Sequence, residues 1–316
     1  MLNQFFTSRE SEIRFFLMLF IALALLLVTS YVLGTRVERG DVSTPTRTAS
    51  IFPVVALRAK SAYVYDARTQ TVLFAKDENE RLSLASLTKL MAAVVATDIS
   101  PEYAQVIVSQ EAIRADGDSG LLPDERWTLQ DLLDFSLMSS SNDGIRAVAL
   151  SLGALSRFDA NESEIIDDFV KAMNNKALEL DLKNTYFWNE TGLDESEVKG
   201  GGYGSARDVA MLLEYILGAE PHLLEATRQA ETTITSIDNN KHVAKNTNRL
   251  ASDTPGLIGS KTGYTDTAGG NLAFVFDPEL GRPIIVTILG STASGRFEDA
   301  KKLIDATLLY IKGNQE

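Results

Sequence analysis

Leu84-Ala85-Ser86-Leu87-Thr88-Lys89-Leu90-Met91 runs straight into Ala92-Ala93-Val94-Val95-Ala96, so a nearly unbroken apolar stretch carries a hydroxyl and an ammonium three residues apart. The stretch holds neither Gly nor Pro and predicts a helix over 85–98 that opens at Ser86. A helix that is apolar all round is buried, and spacing of three puts Ser86 and Lys89 on one face within reach of each other. Upstream, 62–66 and 71–75 are short β-rich runs joined by Asp66-Ala67-Arg68-Thr69-Gln70, which predicts a hairpin. Downstream, helical periodicity marks 128–138, 142–152, 164–180 and 205–217. Thr128 and Ser205 are the expected N-caps of the first and last, and Ile165, Phe169, Ala172, Met173 and Leu180 the expected inward face of the third. The last third changes to strand-like runs at 257–261, 271–276 and 283–289, then an amphipathic helix over 297–311. If the early hairpin joins the late strands, one antiparallel sheet results, covered by helices and accompanied by a helical subdomain. That is an α+β fold.

The start of the chain has another character. Residues 15–34 carry no charge and are dominated by Phe, Leu, Ile, Ala and Val, long enough to cross a bilayer core. Arg14 stands on one side, Arg36 and Arg39 on the other, so charge gives no orientation. Thr29-Ser30-Tyr31-Val32-Leu33-Gly34 lacks the small-residue pattern of a cleavage site, which favours an uncleaved anchor over a signal peptide. The expected organisation is a short cytoplasmic tail at 1–14, a transmembrane anchor at 15–34, a linker at 35–57 and a folded unit at 58–316.

Composition excludes several chemistries. With 43 acidic against 30 basic residues the formal net charge is −13, and no Lys/Arg cluster offers a nucleic-acid surface. The chain has no Cys, which removes thiol nucleophiles and thiolate metal sites. Its two histidines, His222 and His242, form no zinc-peptidase pair and are both expected at the surface.

Two further short motifs accompany Ser86 and Lys89. Ser140-Ser141-Asn142 follows a predicted helix and can aim a hydroxyl and a carboxamide in one direction. Lys261-Thr262-Gly263 lies on a predicted strand, where Lys261 and Gly263 share a face. Gly263, without a Cβ, permits close approach. Read singly, each motif has a plain structural alternative: an N-cap with an exposed Lys, a helix stop followed by a new N-cap, a hairpin end. The ordered set Ser-x-x-Lys, Ser-x-Asn, Lys-Thr-Gly is far more specific.

On these residues the chain resembles the D-alanyl-D-alanine carboxypeptidases, the low-molecular-mass penicillin-binding proteins. The resemblance runs over about 62–311 and includes Phe169-Val170-x-x-Met173-Asn174, Gly192-Leu193, Asn246-Thr247-Asn248-Arg249-Leu250 and Lys261-Thr262-Gly263-Tyr264-Thr265-Asp266-x-Ala268-Gly269. It departs in having Ser141 where relatives commonly carry Gly or Asp, and in ending after the 297–311 helix, where many relatives continue into a β-rich domain. The resemblance implies a β-lactamase/transpeptidase-like fold, with Ser86 as acylated nucleophile and Lys89 as its base. It implies Ser140 as proton relay and Asn142 as orienter of substrate and Lys89. Lys261 and Thr262 would anchor a terminal carboxylate, Arg249 would assist, and the N–H groups of Ser86 and Tyr264 would form the oxyanion hole. The implied partners are peptidoglycan stem peptides, β-lactams as covalent inhibitors and the cytoplasmic membrane, with the catalytic unit outside the cytoplasm. No metal or organic cofactor is implied. A DD-endopeptidase of the same family is the nearest alternative. A class A β-lactamase would need a Glu-x-x-Leu-Asn element, which Glu190-Thr191-Gly192-Leu193 does not supply, and a wall-binding pseudoenzyme is at odds with three intact motifs.

Overall fold

The computed structural model describes residues 18, 20–22, 51–114, 116–117, 119–156 and 159–314. The chain divides into two compact units, Met1–Ala49 and Ser50–Glu316. In the first, positions 18 and 20–22 are helical. The predicted membrane span at 15–34 otherwise lies outside the described residues, among which no helix is long and apolar enough to cross a membrane.

In the second unit, strands β1 (Ser61–Asp66) and β2 (Thr71–Lys76) form the expected hairpin, and the short β3 (Leu82–Ser83) leads to a 3-10 turn, Ala85–Leu87. Helix α1 (Thr88–Ile99) continues from that turn. Then come β4 (Gln105–Val108), β5 (Glu125–Thr128), α2 (Leu129–Ser139), α3 (Asn142–Gly153) and α4 (Glu162–Glu179). Short strands β6 (Tyr186–Phe187) and β7 (Gly202–Gly204) precede α5 (Ala206–Ala219) and a hairpin of β8 (Glu231–Thr235) and β9 (Lys241–Lys245). The chain closes with β10 (Leu257–Thr265), β11 (Gly269–Phe276), β12 (Ile284–Ser291) and α6 (Gly295–Gly313).

The main sheet has the order β10-β11-β12-β1-β2, with every pair antiparallel. Period-2 alternation splits its side chains between two cores. Tyr63, Tyr65, Ala273, Val275, Ile285 and Leu289 pack with α1, α2 and α5. Val64, Leu272, Phe274, Phe276, Val286 and Ile288 pack with Phe297, Ala300, Leu303 and Ile304 of α6. The α+β reading holds, and the caps are those expected: Thr128 accepts from Asp131 N and Ser205 from Asp208 N.

Four local expectations are corrected. The folded unit begins before residue 58: Phe52 packs 5.7 Å from the rings of Phe74 and Tyr310, and Lys302 Nζ donates to Ala56 O at 2.8 Å. The Ser86 helix opens with a 3-10 turn and has no side-chain cap. In α4 the buried apolar residues are Ile166, Phe169, Val170, Met173 and Ala177, so the inward face is turned one residue from the one predicted through Ile165. His242 is buried, 9 % exposed, bonded to Glu125 at 2.8 Å and set between the rings of Trp127 and Phe135. Its neighbours come from β5 and α2, which local sequence around His242 cannot reveal.

Candidate active site

The Ser86 turn is held against the sheet before any chemistry is considered. Asn271 of β11 donates to Ser83 O, and Leu84 N donates to Gly202 O of β7. Ala85 is forced to φ 48°, a left-handed conformation that costs a non-glycine residue roughly 1–2 kcal/mol. The backbone of β10 then passes immediately beside the turn. A Cβ on Gly263 would lie 2.7 Å from Leu84 O and 3.2 Å from Ser86 N. Gly263 is therefore required by this protein contact, rather than only by the approach of a ligand.

From α1, the Lys89 side chain reaches back to Ser86 with its Nζ 3.0 Å from Ser86 Oγ. Lys89 is 0 % exposed. Its Nζ donates to Asn142 Oδ1 at 2.7 Å and to Thr191 O at 2.7 Å. Burial lowers its pKa to about 7, against an opposing upward pull from the Glu190 carboxylate. Asn142 opens α3, capped by Ser141, whose hydroxyl accepts from Gly144 N at 2.9 Å. Ser141 is thus a cap, which explains why its neighbours, and not Ser141 itself, face the lysines. Ser140 ends α2 at φ 63°, and this turn directs its hydroxyl toward the second lysine.

That second lysine, Lys261, is 1 % exposed and donates to Ser140 Oγ at 2.8 Å and to Thr262 O at 3.0 Å. Burial, followed by the charges of Lys89 and Arg296, holds its pKa well below the ordinary lysine range. Thr262 donates to Thr247 Oγ1 at 2.6 Å, which ties β10 to the 246–250 loop. The described geometry therefore brings Ser86, Lys89, Ser140, Asn142, Lys261, Thr262 and Gly263 around one cleft, with Tyr264 next along β10 and half exposed.

Arg249 stands one cation further out, its charge acting on Arg296 and not directly on Lys261. It is exposed and its guanidinium lies over the Phe297 ring at 5.8 Å. The cation beside the cleft is instead Arg296 at the start of α6, which donates to Gly263 O, stands 5.9 Å over the Tyr264 ring and acts on Lys261. Sequence reasoning passed over Arg296 because it belongs to no motif. Thr191 was also missed, since it contributes a backbone carbonyl. The signal for it was Gly192, whose φ of +82° and would-be Cβ only 2.0 Å from Ala85 O allow no other residue.

A neutral lysine held by two acceptors beside a serine hydroxyl can take that hydroxyl's proton. Lys261, with Arg296 beside it, can receive an anionic group, whose charge would favour the ammonium form of Lys261. Comparison with known proteins places this arrangement. Residues 46–292 match the sequence profile of D-alanyl-D-alanine carboxypeptidase. The chain is 34 % identical to D-alanyl-D-alanine carboxypeptidase DacF of Bacillus subtilis over 257 residues, 79 % of this chain, and spans 62 % of the length of that relative. It is 30 % identical over 218 residues to a D-alanyl-D-alanine endopeptidase of Pseudomonas aeruginosa, covering 67 % of this chain and 65 % of the relative. The fold superposes on the Streptomyces K15 DD-transpeptidase with a TM-score of 0.72 at 25 % identity, covering 81 % of this chain and 99 % of that one. The chain belongs to the D-alanyl-D-alanine carboxypeptidase family.

Proposed function

We propose that the protein is a serine-type D-Ala-D-Ala carboxypeptidase that removes the terminal D-alanine of peptidoglycan stem peptides through an acyl-enzyme on Ser86. The observation that carries this reading is the set of three partners around Lys89 Nζ. A neutral amine has two N–H bonds and one lone pair. Asn142 Oδ1 and Thr191 O can only accept, so they take the N–H bonds, and the lone pair faces Ser86 Oγ. A pKa of about 7 makes the neutral amine available near neutral pH.

Ser86 Oγ attacks the carbonyl carbon of the penultimate D-alanine as its proton passes to Lys89. The carbonyl oxygen becomes an oxyanion and is met by the N–H groups of Ser86 and Tyr264. As the C–N bond breaks, the departing D-alanine amine gains a proton through Ser140, while Asn142 keeps substrate and Lys89 in place. Water then hydrolyses the ester and Ser86 recovers its proton. Lys261 and Thr262 anchor the terminal carboxylate, with Arg296 in the part first sought at Arg249. β-Lactams acylate Ser86 as mimics of the same substrate. Because stem peptides lie outside the cytoplasm, the reading includes 15–34 as a cytoplasmic-membrane anchor with the catalytic unit external. Intact mass of the membrane-extracted protein should retain residues 1–34, and a mature form starting near Thr35 would remove the anchor.

The relative from Pseudomonas aeruginosa keeps a second reading in view, cleavage of D-Ala-containing cross-links. Incubation of the full-length protein with a pentapeptide stem and with a cross-linked dimer, products read by mass, separates the two. Release of free D-alanine from the pentapeptide is expected. Cleavage of the dimer alone would make the protein an endopeptidase.

A further inference from the structure

Behind Lys89 lies an ion pair that the reaction as described does not use. Glu190 is 0 % exposed, and its Oε1 accepts from Arg146 Nη1 at 3.1 Å. Its Oε2 is buried with no hydrogen-bond partner among the described residues. Arg146 sits on α3 four residues after Asn142, so the two project from the same face. Glu190 directly precedes Thr191. The connections close a ring: Lys89 to Asn142, along α3 to Arg146, across to Glu190, through one peptide to Thr191 O and back to Lys89. Arg146 extends the brace to α4 by pairing with Glu162.

We propose that Glu190 and Arg146 are positioning residues for Lys89: their ion pair fixes the separation of Asn142 Oδ1 and Thr191 O, the two oxygens that aim the Lys89 lone pair at Ser86, while the Glu190 carboxylate sets the charge the amine faces. Both oxygens are needed, because each consumes one N–H bond. If either moves, an N–H turns toward Ser86 and the amine presents a donor where a base is required. The charge has its own effect. Lys89 is faced by Glu190 from the 189–192 loop and by Lys261 from β10, with Arg146 on α3 bound to Glu190 and Arg296 on α6 beyond Lys261. Among these Glu190 is the negative group acting on Lys89, and it favours the protonated amine. Glu190 therefore sets the pH at which the base becomes available.

The inference rests on the reading of Ser86 as nucleophile and Lys89 as base. It is tested on the full-length protein by the rate of acylation with a fluorescent penicillin between pH 5 and 9, corrected for the folded fraction. Wild type should show an acid limb with its midpoint near 7, where Lys89 loses its proton. Glu190→Gln keeps an acceptor for Arg146 but removes the charge, so the limb should move down by roughly one pH unit with the plateau little changed. Glu190→Asp should return the limb toward wild type. Arg146→Gln opens the brace and should lower the plateau roughly tenfold, the scale of losing a well-oriented charged hydrogen bond. Should that variant not fold, Arg146→Lys, which keeps the charge but cannot reach both Glu190 and Glu162, carries the same expectation. A contact of merely structural worth would change the folded fraction and leave the limb in place. A Glu190→Gln limb coinciding with wild type, or an Arg146 variant with the wild-type plateau, would overturn the proposal. A wild-type protein that takes up no label would overturn the underlying reading, and the inference with it.

Discussion

Lys89 in the cleft and Lys176 on α4 are both buried lysines, yet their surroundings are opposite. Lys176 is 8 % exposed and meets two carboxylates, Asp98 at 2.9 Å and Glu179 at 3.1 Å. Burial alone would lower its pKa, but hydrogen bonds to those partners outweigh burial and raise it. It is a fixed cation that fastens α4 to the end of α1. Lys89 is bonded to a carboxamide, a peptide carbonyl and a hydroxyl, none of them charged, so burial prevails and the amine titrates near 7. Lys261 goes further, with cations as its charged neighbours. Burial of a lysine therefore says little about its role. What decides is whether a carboxylate is bonded to the ammonium (a structural cation), stands near it (a tuned base) or is left for a ligand to supply.

The same substitution at the two sites should break the comparison most sharply. Lys89→Arg keeps a positive charge but installs a group that does not deprotonate. Acylation by a penicillin should fall by about 10²–10⁴-fold, the usual worth of a positioned base. Lys176→Arg should acylate like wild type and unfold at a similar temperature, because a guanidinium can still pair with Asp98 and Glu179. Acylation rates paired with thermal melts check both, and an active Lys89→Arg protein would mean that another group takes the proton.

A smaller effect is expected at Lys261. Lys261→Ala should lower kcat/KM for a stem peptide with a free terminal carboxylate by roughly 10–100-fold, the scale of one charge-assisted hydrogen bond in a buried site. An amidated stem should be poor for wild type and little altered by the change. Equal losses on the two substrates would remove the carboxylate from the account and leave Lys261 as a partner of Ser140 and the Thr262 carbonyl.

The sheet, the helices and the side-chain half of the site were legible because their signals are local. Short β-rich runs gave the hairpin and the late strands, and Ser86–Lys89, Ser140–Asn142 and Lys261–Gly263 are each contained within four residues. What stayed hidden is carried by backbone atoms or by distant chain. Thr191 acts through its carbonyl, so its side chain gives no clue. Arg296 lies 33 residues from the carbonyl it binds and in no motif, whereas Arg249 stands within Asn246–Leu250 and drew the assignment. Glu190 was weighed only as a fragment of an absent β-lactamase element, although its partner Arg146 stands four residues after Asn142. The face of α4 was misplaced by one residue because Ile165 and Ile166 are adjacent and equally apolar, and packing against α1 and α3 chooses between them.

The central claim is that Ser86 is acylated with Lys89 as its base. Its most direct test is intact-mass and peptide-mapping analysis of the full-length protein after exposure to a penicillin across pH 5 to 9. A single adduct on the peptide containing Ser86, absent from Ser86→Ala and forming faster as pH rises through about 7, is the predicted result. An adduct on any other residue, no adduct, or a rate indifferent to pH over that range would contradict it.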